Sequence, residues 1–178
     1  MTTNTDTPRL ERPAADEHAP YHIRYIRLVP DGDIVETLAS QIEETQALLR
    51  SLSGRADYRY AEGKWTVSQV VRHVADGERA FGYRALSIAR GEKRSLLSFD
   101  ENSWAKHSER DHDEYPALIE ELGLLRRANV LMLRALSDLA WLRRGTVNDV
   151  PATPRGMAWI LAGHERHHAQ VLRERYQS

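Results

Sequence analysis

The 178-residue chain is long enough for one domain with a full core and too short for two comfortable ones. A formal charge of −1 and the absence of cysteine exclude a global basic field for nucleic acid, disulfides, thiolate-ligated zinc and a protein thiol nucleophile. No run approaches the ~20 apolar residues of a membrane span, and Met1 to Pro20 lacks the apolar centre of a signal peptide; a cytoplasmic protein with no membrane or nucleic-acid partner is expected.

Residues 1–20, rich in Thr, Pro, Asp and Glu, read as a mobile tail, and 21–178 as a single domain. Tyr21 to Pro30 carries Ile23, Tyr25, Ile26 and Leu28, which suits a segment either extended or packed over a core. A first amphipathic helix is expected from about Asp33 to Leu52: Ile34, Leu38, Ile42, Leu48, Leu49 and Leu52 follow the helical period, and Ser53-Gly54 supplies a stop. The second starts at Thr66, where Thr66 and Gln69 have capping-box spacing. Val70, Val74 and Phe81 mark its buried side, and Gly91 ends it. The segment from Gly91 to Tyr115 is long for a plain loop, and such segments are usually functional or internally structured. Ser103 to Arg110 has the composition of a short extra helix within it. A third helix is expected from Tyr115-Pro116 to about Leu139, and a fourth from the Thr153-Pro154 start through Trp159, Ile160, His164, His168 and Val171 towards Tyr176. Four such helices with no convincing strand between them predict an all-α four-helix bundle.

The eight histidines are unevenly placed. His164 and His168 stand at i and i+4 on the fourth helix, so they share a face about 6 Å apart. That spacing lets two imidazoles share one metal, although an i, i+4 pair on an exposed helix face also arises by chance and by simple solvation. His167 points roughly 100° away from His168. His73 lies on or beside the buried stripe of the second helix, where a neutral imidazole needs partners for both ring nitrogens. His107 and His112 sit in a charged segment and read as solvated; His18 and His22 carry no positional signal. Residues 164–168 also satisfy the metalloprotease pattern H-E-x-x-H, with Glu165 as the base. The metzincin extension fails, because Val171 and Glu174 stand where Gly and His are required. A third ligand must come from upstream, and Glu165 is assigned to support of the ligands or to the surface.

The stretches GKWTVSQVVRHVADGE (63–78) and GHERHHAQ (163–170), with Tyr83 to Leu86, Ala89 to Gly91, Phe99 to Asn102 and Arg144 to Asn148 between them, resemble the DinB-like superfamily, in particular its YfiT-type branch. The resemblance covers roughly residues 30–176. It implies an up-down-down-up bundle, often homodimeric, and three metal-binding histidines that match His73, His164 and His168. Zinc or nickel is the implied ion, which three imidazoles alone cannot select. It further implies a small-molecule substrate. Three uses of the open coordination position stay open: transfer of a low-molecular-weight, bacillithiol-type thiol to an electrophile, which is the leading expectation, hydrolysis by metal-activated water, or a non-catalytic metal-stabilised or sensor bundle. Asp76, three residues after His73, is a candidate to orient a ligand imidazole. Arg84, about three turns along the same face, is a candidate to hold an anionic group or to form a salt bridge. Glu78 reads as solvated, and Leu97 to Trp104 as one wall of the site.

Overall fold

A computed structural model describes residues 7–108 and 114–177. The chain enters its bundle through a 3-10 turn at Pro20–His22 and the one-turn helix α1 (Ile23–Ile26). The longer helices begin where a side chain or a proline can deal with the free amides of the first turn. Asp33 accepts from the amides of Val35 and Glu36 at the head of α2 (Ile34–Ser51). Thr66 and Gln69 form the reciprocal capping box of α3 (Val67–Ala89). Asp100 caps the short α4 (Glu101–His107), and Pro116 occupies the first turn of α5 (Tyr115–Arg134). Ser137 caps α6 (Asp138–Trp141), and Thr153 caps α7 (Pro154–Tyr176). Among the described residues, no helix is long and apolar enough to cross a membrane.

Bonds between helices fix their directions. The Tyr115 hydroxyl donates to Leu49 O at 2.9 Å while Arg134 reaches Glu36 at 2.9 Å, so α2 and α5 are antiparallel. Arg72 pairs with Glu121 and Arg126 with Glu78, so α3 and α5 are parallel. Gln41 donates to Ala162 O and Arg55 to Tyr176 O, which makes α2 and α7 parallel; the Tyr176 hydroxyl meets Trp65 O, which makes α7 antiparallel to α3. Both α2 and α3 pack on α5 and α7. The result is the up-down-down-up bundle, with α2 facing α3 across one diagonal.

The core lies in two apolar clusters. One includes Leu38, Phe81, Val130 and Leu161; the other includes Leu48, Val70, Leu122 and Leu172. Between them on the four helices lie Gln41, His73, Glu78, Arg126, His164, Glu165 and His168, a polar layer across the middle of the bundle.

Several local expectations need correction. The expected tail is packed from residue 7 onwards: Glu17 is buried and bonded to Thr153 and Arg155 at the head of α7, which holds the segment against the bundle. Residues 1–6 lie outside the described residues. The third helix ends at Arg134 rather than Leu139, because Ser137 caps a new turn. A hairpin of β1 (Gly145–Val147) and β2 (Val150–Ala152) precedes α7. Its two-residue turn is Asn148-Asp149 with φ of 49° and 61°, the left-handed pair of a type I′ turn. Three-residue strands are too short to show alternation in the sequence.

Candidate metal centre

Antiparallel packing of α3 on α7 brings His73 against the i, i+4 pair, so the three expected histidines meet. Their rings lie 4.6–4.8 Å apart, centroid to centroid, and their ligand atoms all fall within 4.8 Å of one another. His73 Nε2 and His164 Nε2 stand 2.9 Å apart. The third imidazole completes the cluster without finding a partner: His168 Nε2 is buried with no hydrogen bond among the described residues. Burial holds the His73 pKa down to about 4 and those of His164 and His168 well below the ordinary value, so all three are neutral donors. Gly77 gives His164 its space. A Cβ there would lie 2.9 Å from His164 Cε1 and 3.1 Å from its Nδ1. Three neutral imidazoles with one orphaned nitrogen fit a borderline divalent cation with an open position.

A cavity of about 310 Å³ opens beside His73 and His164. His22, Tyr25 and Phe81 line it together with Arg84, Phe99 and Glu101. Glu101 Oε2 is 3.9 Å from His73 Nε2 with its side chain half exposed. Arg84 donates to Leu97 O at 2.8 Å, and its guanidinium sits 5.4 Å from the Phe81 ring and 5.5 Å from the Phe99 ring. Tyr25 packs edge-on to both His164 and His167, each at 5.4 Å. A larger groove of about 800 Å³ runs between α2 and α5, but none of the three histidines lines it. Donor chemistry, not size, marks the smaller cavity as the candidate site.

Other expected residues go elsewhere. Asp76 faces Arg79 at 3.6 Å and lines a groove beside α4 with Trp104 and His107; it does not line the histidine cavity. Glu78 is not solvated, and Glu165 is not at the surface. Both are buried on Arg126, each 2.5 Å from a guanidinium nitrogen. The Glu165 carboxylate also accepts from Gln41, so it is turned away from the proteolytic role that H-E-x-x-H suggests. Arg84 lines the histidine cavity, and of the expected Leu97 to Trp104 wall the structure brings Ser98, Phe99, Asp100 and Glu101 to it. His107 is exposed, and His112 lies outside the described residues. Sequence reasoning missed His22, buried in the cavity wall, and the place of Glu101 beside His73; neither belongs to a spaced motif.

The sequence profile of the DinB superfamily matches residues 37–172. The chain belongs to that superfamily. As a DinB-like protein it is similar in structure to YfiT from Bacillus subtilis, described as a probable metal-dependent hydrolase with an unusual four-helix bundle topology. The TM-score is 0.66 at 21% identity, over 92% of this chain and 90% of that one, a likeness that shows the fold. A relative from Geobacillus thermodenitrificans named "Putative metal-dependent hydrolase" is 33% identical over 78 residues. That alignment spans 42% of this chain and 44% of the relative's length.

Proposed function

We propose that this DinB-like chain is a metal-dependent hydrolase that holds one divalent cation, zinc or nickel, on His73, His164 and His168. The carrying observation is the orphaned, buried His168 Nε2 within a cluster of neutral imidazoles that adjoins a cavity. The names of the two relatives support the same reading. A cation bound there supplies Lewis acidity and lowers the pKa of a coordinated water towards ~7. The chain's own residues do the rest. The histidines remain neutral because burial disfavours their protonated forms, which keeps their lone pairs available. Glu101, at the mouth beside His73, accepts the proton released by the attacking group. Tyr25 and Phe81 supply an aromatic wall to the cavity.

Transfer of a low-molecular-weight thiol is the second reading. It uses the same cluster and cavity, and the absence of cysteine is consistent with it, since any sulfur nucleophile would come from a co-substrate. Glu101 would take the thiol proton in that case. Purified protein is expected to hold one equivalent of metal, and His73→Ala to lose it. Ester or amide turnover without added thiol, reduced ~100-fold in Glu101→Gln at unchanged metal content, supports the hydrolase. Turnover only with bacillithiol, mycothiol or glutathione overturns it in favour of the transferase. Metal binding with neither activity points to a structural bundle.

A further inference from the structure

We infer that Arg84 and His22 form a recognition site for a negatively charged group of the substrate, a carboxylate or a similar oxyanion. The inference deepens the hydrolase reading and rests on it for the role of the cavity. Buried arginines in this protein are otherwise neutralised in pairs: Arg126 meets Glu78 and Glu165, and Arg155 meets Glu11 and Glu17. Arg84 is comparably buried, at 6% exposure, yet no carboxylate of the described residues lies within ion-pair distance of it. A guanidinium stays charged under any ordinary condition, and a buried charge without a counter-ion is costly. One of its five N–H donors is used, by Leu97 O. Phe81 and Phe99 hold the guanidinium from the sides without neutralising it.

His22 supplies the second, independent observation. It lines the same cavity, is 6% exposed, and its Nδ1 is buried without a partner among the described residues. A buried ring nitrogen normally has a hydrogen-bond partner, so an orphan on a residue that lines a cavity points to a ligand atom reached by a small turn of the ring. An oxyanion bound there would accept from Arg84 and from the Nδ1–H tautomer of His22. Two carboxylates also line the cavity but are committed elsewhere: Asp100 caps α4, and Glu101 stands beside His73. Tyr21, Tyr25, Phe81 and Phe99 give the cavity an aromatic side, with Ser98 and Arg24, itself bonded to the Tyr25 hydroxyl, completing the wall; such a lining suits a substrate whose body is apolar and whose one end is anionic.

Calorimetric titration of the metal-free protein with phenylacetate, phenyl phosphate and the neutral phenylacetamide tests this. Metal-free protein is used because a carboxylate also binds a cation directly. At least one anion is expected to bind about ten-fold or more tightly than the amide, the range for a charged hydrogen bond. Which anion wins distinguishes a carboxylate from a phosphate substrate. The preference should vanish in Arg84→Met, survive in part in Arg84→Lys, and weaken in His22→Phe, with zinc stoichiometry unchanged in all three. Equal or undetectable binding of anion and amide by the wild-type protein overturns the proposal, as does a preference that survives Arg84→Met. The wild-type comparison needs no variant to fold. Failure of the hydrolase reading would show separately, as missing metal or turnover while the anion preference persists.

Discussion

Arg126 is 1% exposed and joins all the elements of the polar layer: Glu78 from α3, Glu165 from α7 and the Leu38 carbonyl of α2. Asn129 adds a donor to Glu78 at 2.8 Å. A buried ion pair is weak evidence for stability, but removing one partner strands the others in low dielectric. Arg126→Met should therefore destabilise by about 3–5 kcal/mol, read as a lower urea midpoint, with two carboxylates left uncompensated. His22 gives a second prediction. Burial, with the charges of His18, Arg84 and Arg24, pushes its pKa down to about 3 from an ordinary 6.5. The folded form thus binds its proton less readily than the unfolded chain, and stability is lost as pH falls from about 6.5 towards 3. Urea midpoints measured between pH 7 and pH 4 should fall more steeply for the wild type than for His22→Phe; parallel profiles would remove His22 as the cause. At this scale the clustering of the three histidines was legible because spacing and the family pattern carry it. Glu78, Glu165 and Arg126 were not, since a charged residue reads as solvated until its partner on another helix is known. Glu165 follows His164 by one position, so it turns roughly 100° from the side that carries the histidine cluster and into the bundle.

Two glycines of α7 let the N-terminal segment lie directly on that helix. A Cβ at Gly156 would overlap the Glu17 carbonyl oxygen, and one at Gly163 would overlap the Tyr25 carbonyl group. The obstructing atoms are backbone, so no rotamer change relieves them. In a free helix, Gly→Ala gains up to about 1 kcal/mol. Gly163→Ala should instead destabilise, by ~1–3 kcal/mol, because overpacking forces α1 away. Tyr25 on α1 would then shift from its edge-on contact with His164, so metal affinity should fall together with the urea midpoint. An Ala variant as stable as the wild type would show that α1 is loosely held. The helices themselves were largely readable. Asp33, the Thr66–Gln69 box and Thr153 are caps that local chemistry dictates. The packed tail and the end of α5 were hidden for the opposite reason: Glu17 is ordered by Arg155, far along the chain, and Ala135 to Ser137 has no apolar gap to announce a break.

Helical periodicity finds faces but not directions, so the bundle's topology was legible only through the family resemblance. That topology has a consequence for the site. Because α3 and α5 run parallel, the chain must return along the bundle between them, and the returning segment carries Phe99 and Glu101 to the cavity. Leu96 pairs with Val147 of the hairpin, which anchors the segment just before that wall. The histidine cluster meanwhile spans two helices, with His73 on α3 and His164 and His168 on α7. A cation held there ties these helices together in the native state, whereas the unfolded chain has no such arrangement. Binding to the native state alone stabilises by about 2.7 kcal/mol at a hundred-fold excess over Kd. For a domain of this size, 1 kcal/mol moves Tm by roughly 2–4 °C. Repletion of chelator-treated protein with zinc or nickel should raise Tm by about 5–10 °C, with most of the rise absent in His73→Ala. An equal rise in His73→Ala would place the stabilising ion elsewhere, because that substitution leaves α7 with its pair and α3 with no ligand in the cluster.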